Sequence, residues 1–182
     1  MCTANICRSP LAEHLLRDAL PPPTDVLPRF LVRSAGIRGW PGAEMDPMAA
    51  AELRRLGGDP DGFRSRQLSG VDCDAADLIL AVAAEHRTYV LQEEPRLLKR
   101  TFTLLELSHL VSEVELVRKA QGDPVRLVGE ASTARGASRL EEYDVRDPFG
   151  QSPEVHRQVA NTIHGAVMDI ARALSGFEAD SD

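Results

Sequence analysis

The 182-residue chain carries 21 basic and 28 acidic residues, a net charge of −7, and 43% of it is hydrophobic. That balance excludes a nucleic-acid binder held by general electrostatics, while no apolar run approaches a membrane span and no charged-then-apolar leader precedes the first motif. Three cysteines, an odd number without secretory context, point to a reducing cytoplasm rather than a disulfide framework.

The length suits one domain with its own core, expected over residues 1–176, followed by a disordered acidic tail at 177–182. Ser9-Pro10 reads as an N-cap and first helical residue. Leu11, Leu15, Leu16 and Ala19 then share a face, and Pro21-Pro22-Pro23 ends the helix. Residues 30–35 read as a short apolar strand closing on Gly36. Asp46-Pro47 caps a second helix with Ala50, Leu53 and Leu56 inward and Gly57-Gly58 as its stop. Residues 77–82 ("DLILAV") carry a buried-strand signature, residues 84–92 a helix, and residues 101–103 a fourth, short strand. One helix is expected over residues 104–120, with Leu107, Leu110, Val111, Val114 and Val117 facing the core. Asp123-Pro124 opens a further short helix, and residues 132–144 read as a polar loop. Ser152-Pro153 starts the last helix, whose buried face runs Val155, Val159, Ile163, Val167, Ile170, Leu174. Strands separated by helices mean a parallel sheet with crossovers, an α/β fold.

The chemistry concentrates in "MCTANICRSP", where Cys2 and Arg8 are separated by five residues and a helix follows directly. Five residues can curl so that their backbone N–H groups point inward, and the helix N-terminus adds donors and positive potential. Such a cup fits a tetrahedral oxyanion even in an acidic chain, because the N–H groups act locally. Arg8 would hold two oxygens in a fork that lysine cannot form. The same field favours a negative sulfur on Cys2, a nucleophile. Ser9 is placed to donate to that sulfur and help it leave, and Asn5 suits a left-handed turn within the loop. A lone Cys-x5-Arg is weak; the serine and the proline-led amphipathic helix behind it sharpen the pattern.

"CTANICRSP" resembles the phosphate loop of the low-molecular-weight protein tyrosine phosphatases. Further matches follow in that family's order: "SAGI" at Ser34 to Ile37, then Trp40, "RSRQL" at Arg64 to Leu68, "DLIL" at Asp77 to Leu80 and "DPF" at Asp147 to Phe149. The resemblance implies a four-stranded parallel sheet with helices on both faces. It implies that Cys2 attacks the phosphorus of an aryl phosphate and forms a phosphocysteine. The loop amides of Thr3, Ala4, Asn5, Ile6, Cys7 and Arg8, with the Arg8 guanidinium, would stabilise the transition-state oxygens. Asp147 would protonate the departing phenolate and then deprotonate the hydrolytic water; Asp-Pro is also a common turn opener, and Asp144 is the fallback acid. Trp40 and Phe149 would rim a slot that suits phosphotyrosine on a protein substrate, and Ser34 would support Asn5 from below. No metal or cofactor is implied, and no nucleic-acid or membrane partner.

Cys7 is implied to form a reversible disulfide with Cys2 that guards it from over-oxidation, or else to pack beneath the loop. Cys73 reads as structural. His14, His86, His109, His156 and His164 have no metal spacing and read as surface or packing residues. Four positions depart from the family pattern. Ala4 replaces a glycine, tolerable where φ is negative. Phe63 replaces a histidine that orients the loop asparagine. The segment before Asp147 is long. Only Met1 stands where the family has an apolar central strand, so that strand is expected to be absent, and a GTG valine codon written as the start would account for it. Two other functions share the loop: a non-catalytic phosphate-binding module, and an arsenate reductase, which needs two further cysteines that residues 80–95 lack.

Overall fold

The structure, a computed structural model, describes residues 1–23, 30–136 and 142–176. Four of its helices start where the sequence supplies side-chain caps. Asp46 accepts from the N–H groups of Met48 and Ala49 ahead of α2 (Pro47–Arg55), with proline at the first position. Asp123 does the same for α7 (Pro124–Ala134). A reciprocal pair, Ser69 and Asp72, opens α3 (Gly70–Ala75), and Thr103 with Glu106 opens α5 (Leu104–Val111). The remaining helices are α1 (Arg8–Ala19), α4 (Ala84–Glu93), a 3₁₀ turn at Pro95–Arg100, α6 (Val114–Ala120) and α8 (Pro153–Leu174).

Two parallel strands, β1 (Ile79–Ala81) and β2 (Thr101–Thr103), pair Leu80 with Phe102 at their centre. Alternation sends Leu80 and Phe102 to the large core built on α1, α2, α5 and α8, and Ile79 to a second cluster with Cys73, Val90 and Leu97. The expected four strands are thus two among the described residues, joined by isolated parallel bridges Cys2–Gly36 and Gly36–Gln67. Met1 and Cys2 lie between the two halves. The Met1 amine donates to Leu80 O at 2.6 Å and Val82 N–H donates to Met1 O at 3.0 Å; on the other side Cys2 N–H reaches Ala35 O and Ile37 N–H reaches Cys2 O.

Residues 30–35 do not form the expected strand. Pairing among the described residues is confined there to single bridges from Gly36 to Cys2 and Gln67, and Leu31 is exposed. The helix expected over residues 104–120 breaks. Ser112 turns its hydroxyl back to His109 O and Glu113 leaves the helical region, so α6 restarts with Leu116 and Ala120 inward and Val114 exposed. α7 is longer than expected and takes residues 132–134 from the polar loop. The 3₁₀ turn and α3 lack a hydrophobic period and were not read from the sequence. α8 keeps the expected face, with Val159, Ile163, Val167, Ile170 and Leu174 buried, and packs on α1, α2 and α5. No helix among the described residues is long and apolar enough to cross a membrane. The tail at 177–182 lies outside the described residues.

Candidate active site

The loop from Cys2 to Arg8 is shaped by bonds to its carbonyls. Ile37 and Arg38 N–H donate to Cys2 O and Thr3 O, each at 2.9 Å, and Asp46 N–H donates to Ile6 O at 2.9 Å. Ala4 O accepts from Trp40 N–H at 3.2 Å and from Ser65 Oγ at 2.9 Å. No peptide bond is cis. In a trans peptide the N–H points opposite the carbonyl, so these outward carbonyls turn the N–H groups of Thr3, Ala4, Asn5 and Cys7 inward. Among the described residues no group accepts from them. Gly36 makes this approach possible: a Cβ there would sit 2.4 Å from Thr3 O.

Asn5 holds the centre. It is fully buried, with φ of 59°, the left-handed turn expected of asparagine. Its Nδ2 donates to Ser9 Oγ at 2.9 Å and Ser34 Oγ at 2.7 Å, and its Oδ1 accepts from Arg66 N–H at 3.0 Å. All three partners come from residues other than Phe63, which packs edge-on against His14. Ala4 has no positive φ, so the missing glycine leaves no backbone strain. Behind Ser34 stands Glu13, which accepts from Ser34 Oγ at 2.5 Å and is ion-paired with Arg17. Arg66 donates to Ser34 O at 2.8 Å and to Asp72 at 2.7 Å. Burial pushes the Asp72 carboxyl up, but hydrogen bonds from Ser69 and Arg66 outweigh it and hold the group below the usual range.

Ser9 is not a helix cap. α1 begins one residue earlier, at Arg8, and Cys7 at the N-cap gives no side-chain bond. The Ser9 hydroxyl is taken by the loop: it accepts from Asn5, which frees its own proton for Cys2 Sγ at 3.0 Å. Cys2 and Cys7 are both buried free thiols; burial, reinforced by the Asp46 carboxylate, pushes the Cys7 thiol well up. Ile6 is buried beside them.

Arg8 is buried, and its Nη1 donates to Val145 O at 3.1 Å while Nη2 donates to Asp147 Oδ2 at 2.7 Å. These bonds use two of the guanidinium's five N–H donors. Asp147 Oδ1 accepts from Phe149 N–H at 3.2 Å, so the carboxylate also makes the turn that an Asp-Pro pair suggests. Its side chain is 54% exposed. Phe149 and Trp40 meet edge to face, with ring centroids 5.9 Å apart at 89°, both half-exposed. Asp144, the fallback acid, is engaged elsewhere, accepting from Ala84 N–H at 2.7 Å. His86 takes the packing half of the surface-or-packing reading, fully buried, and adds a contact that reading did not include: its Nε2 lies 2.9 Å from Thr3 Oγ1. Glu13, Ser65, Arg66 and His86 were not read as site residues. Arg66 lies inside "RSRQL", the one signal that pointed near it.

A sequence description of low molecular weight phosphotyrosine protein phosphatases matches residues 1–127. The low molecular weight protein-tyrosine-phosphatase Etp of Escherichia coli (strain K12) is 36% identical over 175 residues, 96% of this chain and 92% of Etp. Among solved structures, the YwlE arginine phosphatase from Geobacillus stearothermophilus superposes with a TM-score of 0.68 at 27% identity, covering 95% of this chain and 88% of that one. Vibrio vulnificus Wzb in complex with benzylphosphonate superposes with a TM-score of 0.65 at 26% identity, covering 94% and 93%.

Proposed function

Because the chain belongs to the low molecular weight phosphotyrosine protein phosphatase family, we propose that it hydrolyses phosphotyrosine on proteins through a phosphocysteine at Cys2. One observation carries the reading: the Cys2 sulfur, 3.0 Å from the Ser9 hydroxyl, stands at the start of a loop whose N–H groups face inward. A phosphate seated there meets donors fixed before it arrives, which is where transition-state charge is best stabilised. Arg8 adds its remaining donors.

In the first step the Cys2 sulfur forms a bond to phosphorus as the bond from phosphorus to the phenolic oxygen breaks, and Asp147 gives its proton to the departing phenolate. In the second step Asp147 takes a proton from water as the water oxygen bonds to phosphorus and the sulfur leaves as thiolate, stabilised by Ser9. Trp40 and Phe149 would flank the phenyl ring. The arginine phosphatase among the structural relatives supplies the competing substrate, phosphoarginine. The half-exposed aromatic pair suits a phenyl ring, but a planar guanidinium also stacks on such faces, so a phosphoarginine peptide is the comparison substrate.

The finer fold reading goes with this function. A four-stranded parallel sheet is taken within one domain over residues 1–176, with β1 and β2 as two of its members and the isolated bridges Cys2–Gly36 and Gly36–Gln67 at the places of the others. A cytoplasmic location is consistent with three free thiols. Cys7 is taken to protect Cys2 by a reversible disulfide, with an oxidant such as peroxide accepting the two electrons. Peroxide should then inactivate Cys7→Ser irreversibly and wild type reversibly by thiol; equal irreversible loss removes the idea.

Hydrolysis of phenyl phosphate and of a phosphotyrosine peptide by the purified chain tests the function. Cys2→Ser should lower turnover by roughly 10⁴-fold or more. Turnover that survives Cys2→Ser defeats the mechanism, and phosphate binding without turnover in wild type selects the non-catalytic module.

A further inference from the structure

The chemistry above requires the phosphate loop and Asp147, from opposite ends of the chain, to meet in one register. Four contacts converge on the junction between β1 and α4, residues 82–86. Toward the acid segment, Val145 N–H donates to Val82 O at 2.8 Å and Ala84 N–H donates to Asp144 Oδ1 at 2.7 Å. Toward the loop, Val82 N–H donates to Met1 O at 3.0 Å, and His86 Nε2 lies 2.9 Å from Thr3 Oγ1.

Both side chains are poorly explained by packing alone. Ala83 stands at the N-cap of α4 and offers no side-chain acceptor. The first-turn donor is satisfied instead by Asp144, delivered from 60 residues away and three before the acid. His86 is fully buried, yet its Nδ1 has no partner among the described groups. A leucine would fill that space without an unpaired polar atom. Among the described residues the ring's hydrogen bond is to Thr3, and the exposed Glu85 carboxylate lies 3.5 Å from the same nitrogen.

We propose that His86 and Asp144 are positioning residues that hold the Thr3 end of the phosphate loop and Asp147 in register through the β1–α4 junction. His86 acts on oxyanion binding and Asp144 on proton delivery, so the two have different signatures. The proposal rests on the phosphatase reading, and its test separates the two.

His86→Leu and Thr3→Val each remove the same contact; His86→Gln keeps a donor near the Nε2 position. Vanadate inhibition should weaken about tenfold in His86→Leu and in Thr3→Val, no further in the double variant, and recover in His86→Gln. Thr3 is only partly buried, so Thr3→Val keeps the test alive should His86→Leu fail to fold. Asp144→Ala should lower kcat on phenyl phosphate about tenfold, leave p-nitrophenyl phosphate within about twofold because its leaving group needs little proton, and spare vanadate binding. Asp144→Asn, which keeps the acceptor for Ala84 N–H, should restore kcat.

Additive effects of the Thr3 and His86 variants, or equal losses on both substrates in Asp144→Ala, overturn the proposal. The imidazole ¹⁵N resonances of His86 give a readout independent of activity: Thr3→Val must shift Nε2. If wild type neither turns over nor binds vanadate while Thr3→Val still shifts Nε2, the phosphatase reading falls and the clamp stands; no shift in Thr3→Val sinks the clamp.

Discussion

The Cys2–Arg8 loop and the segment around Asp147, proposed above as the two walls of one site, meet at Arg8 and are built in opposite ways. In the loop, Asn5 is fully buried with both amide hydrogens and its oxygen bonded, and four carbonyls are taken from outside. In residues 142–150 only Val145 and Pro148 are buried, and Asp147 is 54% exposed. A cup for a tetrahedral anion gains from donors that cannot relax, because reorganisation would cost the stabilisation it supplies. A group that gives a proton and then takes one from water has to stay wet. Arg8 belongs to both walls, buried like the first and bonded to the second.

Removing the proton carrier tests the wet wall. Asp147→Asn should lower kcat on phenyl phosphate by roughly 10²–10⁴-fold, with a smaller loss on p-nitrophenyl phosphate. Equal, small losses on both would reduce Asp147 to a turn residue. Because the Asp147 bond to Arg8 is partly exposed, thermal stability should change little.

The dry wall is tested at Asn5. Asn5→Ala strips three buried partners and puts alanine at positive φ, lowering stability by roughly 2–4 kcal/mol and activity with it. Asn5→Gly restores the backbone but not the bonds, so the difference between the two variants isolates the φ term, about 1 kcal/mol. Denaturant midpoints measure both. Identical midpoints for alanine, glycine and wild type would mean that the loop does not depend on Asn5.

Most of the dry wall was legible because it is local. Cys2, Asn5, Arg8 and Ser9 fall within eight residues, and each residue type has one natural use there. Its outer supports were not. Glu13 behind Ser34 and His86 behind Thr3 are ordinary polar residues on helices, and only the three-dimensional register of α1 and α4 brings them to the loop. The wet wall was half legible. "DPF" pointed to Asp147, which the structure brings to Arg8, but Asp144 could be read only as a second acid, because nothing in the sequence says that it reaches the start of α4. Helix starts were read well at Asp46-Pro47, Asp123-Pro124 and Ser152-Pro153, but not at Ser9-Pro10, where α1 starts at Arg8. The break at Ser112 was missed because Val114 and Val117 continue the apolar period while Leu116 and Ala120 do the packing.

His86 links the two walls to pH. Burial, aided by the charges of Arg8 and the chain's amino terminus and opposed by Asp147 and Asp144, lowers its pKa from 6.5 to about 4. Between those values the unfolded chain binds more protons than the folded one, so stability falls as pH drops from about 6.5 toward 4 and is retained above. The contribution is on the order of 3 kcal/mol. Measured by urea midpoints at pH 7 and pH 5, wild type should lose more stability than His86→Gln. The opposite ordering would mean that the folded protein prefers the charged ring.

The smallest effect is expected at the rim, where the walls touch. Trp40 comes from the loop that donates to Ala4 O, and Phe149 from the turn that Asp147 makes. Their edge-to-face contact is half-exposed, so it stabilises the fold by no more than about 1 kcal/mol. Its use would be to present two apolar surfaces to a ring. Trp40→Ala and Phe149→Ala should therefore raise KM for a phosphotyrosine peptide about three- to tenfold and leave kcat near wild type, because neither ring touches the transferring phosphoryl group. Inorganic phosphate, which has no ring, should inhibit wild type and both variants alike. A loss of phosphate inhibition in Trp40→Ala would place the Trp40 side chain with the dry wall instead, as what holds its own loop, and with it the N–H that alanine retains, against Ala4 O, and the division between the two walls would have to be redrawn there.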